Sequence, residues 1–128
     1  MSEELDLLVD AMDLAATPPI GWRAESGEAQ KFDTDKPRYD LLPPELMEQT
    51  AKILTFGAKK YAARNWELGM DWSRVFGALQ RHMWAWWGGE DKDPETGESH
   101  LAHACCCIAF LTAYEQRQAG TDDRPKEE

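Results

Sequence analysis

Four stretches of the chain carry apolar residues at helical spacing, and none alternates convincingly with period two. In the first, residues 2 to 15, Leu5, Leu8, Val9 and Met12 form one stripe, with Asp6, Asp10 and Asp13 opposite. Ser2 suits an N-cap, and Glu3 and Glu4 suit the positive end of the helix dipole. The second stretch starts at Pro44, favoured as a first helical residue, and runs to about Tyr61. Its expected inner face is Met47, Ala51, Leu54, Ala58 and Tyr61. The third, 72 to 88, follows a plausible N-cap at Asp71 and turns Phe76, Leu79, Met83 and Trp86 inward. The fourth, 99 to 116, has an expected buried face of Leu101, Ala104, Cys105, Ile108 and Leu111. The pattern predicts an all-α compact bundle of three to four helices.

The intervening segments set the organisation. Thr17-Pro18-Pro19 ends the first helix, and residues 17 to 30 read as an irregular linker anchored by Trp22. Residues 1–29 therefore form an amphipathic helix and linker, which packs on the body or on a neighbouring subunit rather than doing chemistry. Residues 30–117 form the helical domain, and 118–128 read as a disordered polar tail. Trp84, Trp86 and Trp87 cannot all face one core, so at least one borders a pocket or a subunit interface, and a homo-oligomer is expected.

Charge narrows the function. A formal net charge of -10 over 128 residues argues against a nucleic-acid polymer as partner, which needs a broad basic face. A small phosphorylated ligand stays open, because a local basic cluster can sit in an acidic protein. No apolar run approaches the roughly 20 residues of a membrane helix, so the chain reads as cytoplasmic with no membrane partner. Cys105-Cys106-Cys107 are consecutive, matching neither a disulfide framework nor a zinc pattern, and read as buried thiols in a reducing compartment.

Chemistry concentrates between Arg81 and His103. All three histidines (His82, His100, His103) fall there with five carboxylates, Glu90, Asp91, Asp93, Glu95 and Glu98. The loop GGEDKDPETGES places acids at alternate positions but fails as an EF-hand, since Gly97 comes one place late and no closing glutamate follows. His100 and His103 share a helix edge beside this loop, suiting a metal, phosphate or acid/base role. His82 reads either as a satisfied core histidine or as a substrate contact. Upstream, Lys31, Lys36 and Arg38 alternate with Asp33, Asp35 and Asp40 on a proline-stiffened arm, either a solvated loop or a phosphate cradle. Glu45 and Glu48 share a helix face and suit one cation, whereas Lys59 and Lys60 suit the negative end of their helix.

Three ordered blocks, KFDTDKPRYDLLPP, TFGAKKYAARNW and ALQRHMWAWWGGEDKDPETGESHLAHA, resemble the phage dATP/dGTP diphosphohydrolase N-terminal family, related to MazG-like nucleotide pyrophosphohydrolases. The resemblance spans residues 30 to 115. It implies cleavage of a purine deoxynucleoside triphosphate to monophosphate and pyrophosphate with Mg2+ or Mn2+. Glu45/Glu48 and Glu90/Asp93 reproduce the letters of the MazG ExxE and ExxD pairs. On that reading Glu90 and Asp93 hold the metal, Glu48 is a further ligand or base, and His100 or His103 carries a proton. Lys31, Lys36, Arg38 and Lys60 neutralise phosphates, and Arg81 completes the clamp or pairs with Glu90. Tyr61 or Trp66 stacks on the base, and Asn65 reads its edge. The alternative is a binder without turnover, a phage sponge for a nucleotide immune signal. A purely structural accessory protein is the blandest reading.

Overall fold

The computed structural model describes residues 27–127, so the stripe of residues 2 to 15 and Trp22 lie outside the described residues. The chain divides into two units, Met1–Pro37 and Arg38–Glu128. Of the first, residues 27–37 show a single tight turn in which the Lys36 amide donates to the Asp33 carbonyl (3.0 Å).

The second unit is built on three helices, α1 (Pro44–Lys60), α2 (Trp72–Trp87) and α3 (His100–Arg117), with short 3-10 turns at Tyr39–Leu41 and Asn65–Leu68. Among the described residues there is no strand, only two isolated bridges. The helices begin where local chemistry places them: α1 at Pro44, and α3 behind Ser99, whose hydroxyl accepts from the Leu101 amide (3.1 Å).

α3 is the central element, packing on both of the others. Ala102 and Cys106 meet Ile53 of α1, with Leu54 and Phe110 beside them. Cys107 and Tyr114 meet Val75 of α2, and Trp66, Met70, Trp72, Leu79 and Leu111 surround that contact. This corrects the expected inner face of α3. Leu101 and Ile108 are exposed, because a helix with two neighbours turns its small residues toward both and leaves larger side chains on the edge between. The expected face of α1 is also corrected. Ile53 and Leu54 bury, while Met47 and Tyr61 are exposed, since α1 meets a single helix and needs only a narrow strip. On α2, Val75 is the buried residue and Phe76 and Met83 are exposed.

The segment after α3, expected to be disordered, instead packs back on the start of α2. Thr121 bridges Asp71 in parallel, the Trp72 amide donates to the Thr121 carbonyl (3.0 Å), and the Trp72 indole N–H donates to the Ala119 carbonyl (2.9 Å). Asp71 holds the N-cap position of α2 without a side-chain cap bond. Asp123 takes over, accepting from the Ser73 amide (2.9 Å) and the Ser73 hydroxyl. Gly69 (φ +93) and Gly120 (φ +71) make this crossing possible, because a Cβ on Gly69 would stand 2.7 Å from the Gly120 nitrogen. No helix among the described residues is long and apolar enough to cross a membrane.

Candidate functional site

α2 closes at Gly88, whose amide donates to the Trp84 carbonyl (2.9 Å), and Gly89 (φ +101) turns the chain into the acidic loop. That loop is a closed hairpin. The Asp93 amide donates to the Glu98 carbonyl (2.8 Å), the Gly97 amide to the Asp93 carbonyl (2.8 Å), and Lys92 bridges Ser99 in antiparallel sense. The His100 amide then donates to the Asp91 carbonyl (3.0 Å), which fixes where α3 begins. His82 on α2, Asp93 in the hairpin, and His100 and His103 in the first turn of α3 are thereby brought together.

The contacts are close. His82 Nδ1 and His100 Nδ1 are 2.9 Å apart, and His100 Nε2 lies 2.7 Å from Glu90 Oε1. The His103 ring stacks on His82 with centroids 4.4 Å apart and planes 4° from parallel. Thr96 Oγ1 is 2.7 Å from His103 Nε2 and accepts the Glu98 amide (3.2 Å). Asp93 Oδ1 accepts from the Glu95 and Thr96 amides (2.7 and 3.2 Å), leaving Oδ2 turned to His82 Nδ1 at 3.8 Å. His100 is 4% exposed, but Glu90 is open to solvent. The cluster is a shielded floor with one wet edge.

Burial pushes the His82 and His103 imidazoles below their ordinary range, and each also faces the other ring nitrogens of the cluster. Both are therefore neutral near pH 7. Burial pushes the Asp93 carboxyl up, but the Glu95 and Thr96 amides and the imidazoles of His103 and His82 outweigh it and leave it lowered. A carboxylate can only accept, so His100 donates from Nε2 to Glu90 and presents a lone pair at Nδ1. In contrast, burial pushes the Cys106 thiol up to about 12 and Cys107 up to about 11, so both stay protonated at neutral pH.

Residues 26–124 match the family described as dATP/dGTP diphosphohydrolase, N-terminal. The chain belongs to this family. Over 94 residues it is 34% identical to a protein of Salmonella phage PMBT28 named dATP/dGTP diphosphohydrolase. The aligned stretch is 73% of this chain and 32% of that relative, so the chain spans about a third of the relative's length. No solved structure matches.

The remaining candidates of this family member differ in where they sit. Lys60 borders the cluster: its ammonium pairs with Glu95 (2.8 Å), the residue whose amide holds Asp93. Its neighbour Tyr61 is 66% exposed, and Asn65 is also exposed. Arg81 is exposed beside His82 on α2, and Glu90 pairs with His100 rather than with Arg81. A second group is held elsewhere. Trp66 belongs to the core, stacked on Phe110 at 4.6 Å with the Arg117 guanidinium 5.6 Å from its ring, so it is not free to take a base. Glu48 is exposed, pairs with Lys52 (3.9 Å), and lines a shallow hollow with Glu98 rather than joining the histidines. Arg38 forks onto Asp40 (3.2 and 2.6 Å). Lys31 and Lys36 belong to the first unit.

Thr96 is the participant that sequence reasoning missed. Its signal was the DPET string, since an Asp at the head of a turn frees the next residues' amides to face it. The expected metal pair, Glu90 and Asp93, sits in different contacts. Glu90 faces His100, and the converging donors are His82, Asp93 and His100, which lie within 4.8 Å of one another. Magnesium does not fit them well, because it demands an octahedral oxygen shell and two of these three donors are imidazole nitrogens.

Proposed function

We propose that this domain binds a purine deoxynucleoside triphosphate along its histidine edge and cleaves it to monophosphate and pyrophosphate. The observation that carries the reading is the convergence of three imidazoles and two carboxyl groups on one wet edge, in a chain of this family. In the reaction a water oxygen bonds to the α-phosphorus and the bond to the bridging oxygen breaks. The electron pair leaves on pyrophosphate, and the water's proton passes to His103, which burial keeps neutral and able to accept it. Lys60 and Arg81 offset phosphate charge from the two sides of the edge, and the exposed Tyr61 ring offers a face for the base.

The test is chromatographic. The full chain is incubated with each dNTP and NTP, with and without Mg2+ or Mn2+. dGMP or dAMP with pyrophosphate is expected, and uniformly intact nucleotides would exclude turnover. A second reading, which the Lys60 ammonium and the exposed Tyr61 ring at the same edge would equally serve, is that the domain binds the nucleotide without cleaving it. Equilibrium binding separates the two. A binder retains a nucleotide that it never converts, and Glu90→Ala leaves that binding intact. The same edge would serve a sponge for a nucleotide signal.

We also propose a homo-oligomer, because Trp84 and Trp87 on the last turns of α2 are 68% and 74% exposed. Light scattering on the eluting protein should give a multiple of 14.6 kDa, falling toward one chain in Trp84→Glu/Trp87→Glu. A parent protein that elutes as a monomer sinks this part of the proposal.

A further inference from the structure

We propose that His82, Asp93 and His100 form a binding site for a divalent first-row transition ion (Mn2+, Fe2+, Co2+ or Zn2+), with Glu90 as the outer carboxylate that orients His100. This deepens the hydrolytic reading, on whose site it rests.

Each donor is held by a bond that leaves the metal-facing atom available. His100 gives its Nε2 proton to Glu90 (2.7 Å), the arrangement in which a second carboxylate fixes the tautomer and ring angle of a ligating histidine. Its Nδ1 lone pair then points at His82 Nδ1, 2.9 Å away. Asp93 uses Oδ1 for the Glu95 and Thr96 amides and leaves Oδ2 for the cluster. The 3.8 Å between Asp93 Oδ2 and His82 Nδ1 is too long for a hydrogen bond. It is within reach of two donors that each sit about 2.1 Å from a shared ion. The His82–His100 pair needs to open by only a few tenths of an ångström, since two such nitrogens on a tetrahedral ion stand about 3.3 Å apart. In the absence of an ion, His82 donates its Nδ1 proton to His100; ligation through Nδ1 uses the other tautomer of His82, with the proton on Nε2.

The three ligands come from α2, the hairpin and α3, so one ion would tie the three elements together. Side-chain exposures of 18%, 16% and 5% shield the donors without sealing them, and the wet side leaves positions for water or a phosphate oxygen. Two nitrogens and one oxygen suit a borderline ion and disfavour magnesium and calcium. The thiols of Cys105, Cys106 and Cys107 are absent from the cluster, so it has no soft ligand to select copper.

The experiment uses the full chain without an affinity tag, stripped with a chelator and titrated with Co2+ alone. A visible d–d absorption band that saturates at one ion per chain is expected, and excess Mg2+ should leave it unchanged. Glu90→Gln should weaken Co2+ binding by about 10- to 100-fold. Asp93→Asn, which keeps the Oδ1 acceptor of the turn and removes only the Oδ2 ligand, should weaken it more. Circular dichroism confirms that both variants keep their helices. Absence of the band in the intact chain, or full affinity in both folded variants, overturns the site. Saturable Co2+ binding without nucleotide turnover would sustain this inference and remove the hydrolytic reading. Turnover in Mg2+ with no retained transition ion would do the reverse.

Discussion

His103→Ala is expected to lower the kcat for dATP or dGTP cleavage by about 10²- to 10⁴-fold, the usual contribution of a positioned acid or base. Its ring is fixed from two directions, by stacking on His82 at 4.4 Å and by the Thr96 hydroxyl at 2.7 Å. It has little rotamer freedom left to lose when substrate arrives, which is what a proton carrier needs. It stands on the half-exposed side of the cluster, whereas His100 is buried beneath. Because His103 is not among the three proposed ligands, the variant should keep its Co2+ band while losing turnover. Thr96→Val should show a milder fall in kcat with an unchanged KM, since it frees the ring without deleting it. Steady-state kinetics on the three proteins decide the matter. A kcat in His103→Ala indistinguishable from that of the parent would remove the residue from the reaction.

Tyr114→Ala should destabilise the fold by about 3–5 kcal/mol, the range for deleting a large buried aromatic ring. At 1% exposure it is the largest fully buried side chain among the described residues, clustered with Val75 and Cys107, and Trp66 is tilted against it at 6.1 Å. Burial pushes its phenol up, so it stays protonated and donates to the Trp66 carbonyl (2.5 Å). Tyr114→Phe keeps the ring and removes one of two bonds to that carbonyl, which still accepts from the Gly69 amide (3.0 Å), at about 0.5–1.5 kcal/mol. Urea denaturation of the two variants separates packing from hydrogen bonding. Equal losses in both would mean that the cavity contributes nothing, contrary to the packing seen here. This bond also ties Trp66 to α3, on which its carbonyl and its ring are both engaged.

The helices were legible because their ends are marked by local chemistry. Pro44, Ser99 and the Gly88-Gly89 pair act within one turn of chain, so α1, α2 and α3 begin or end close to where the spacing predicts. Their inner faces were less legible. Periodicity finds apolar positions but does not say how many neighbours a helix has, and α3 has two. Its run of alanine and cysteine looked like a weak core, yet small side chains are what let helices approach from both sides. The tail misled for a related reason. TDDRPKEE has the composition of a disordered segment, but Gly69 and Gly120 lack the Cβ atoms that would keep it off α2.

For the site, the chain by itself determined the inventory: three histidines and five carboxyl groups between Arg81 and His103, and three ordered blocks that mark the family. Those facts depend only on residue identity and order. The tertiary structure decided the pairings. It joined His82 Nδ1 to His100 Nδ1, set Glu90 against His100 Nε2, paired Glu48 with Lys52 and stacked Trp66 on Phe110. The physical reason is directional: ligation and hydrogen bonding depend on which lone pair points where. That direction is fixed only when α2, the hairpin and α3 have closed against one another.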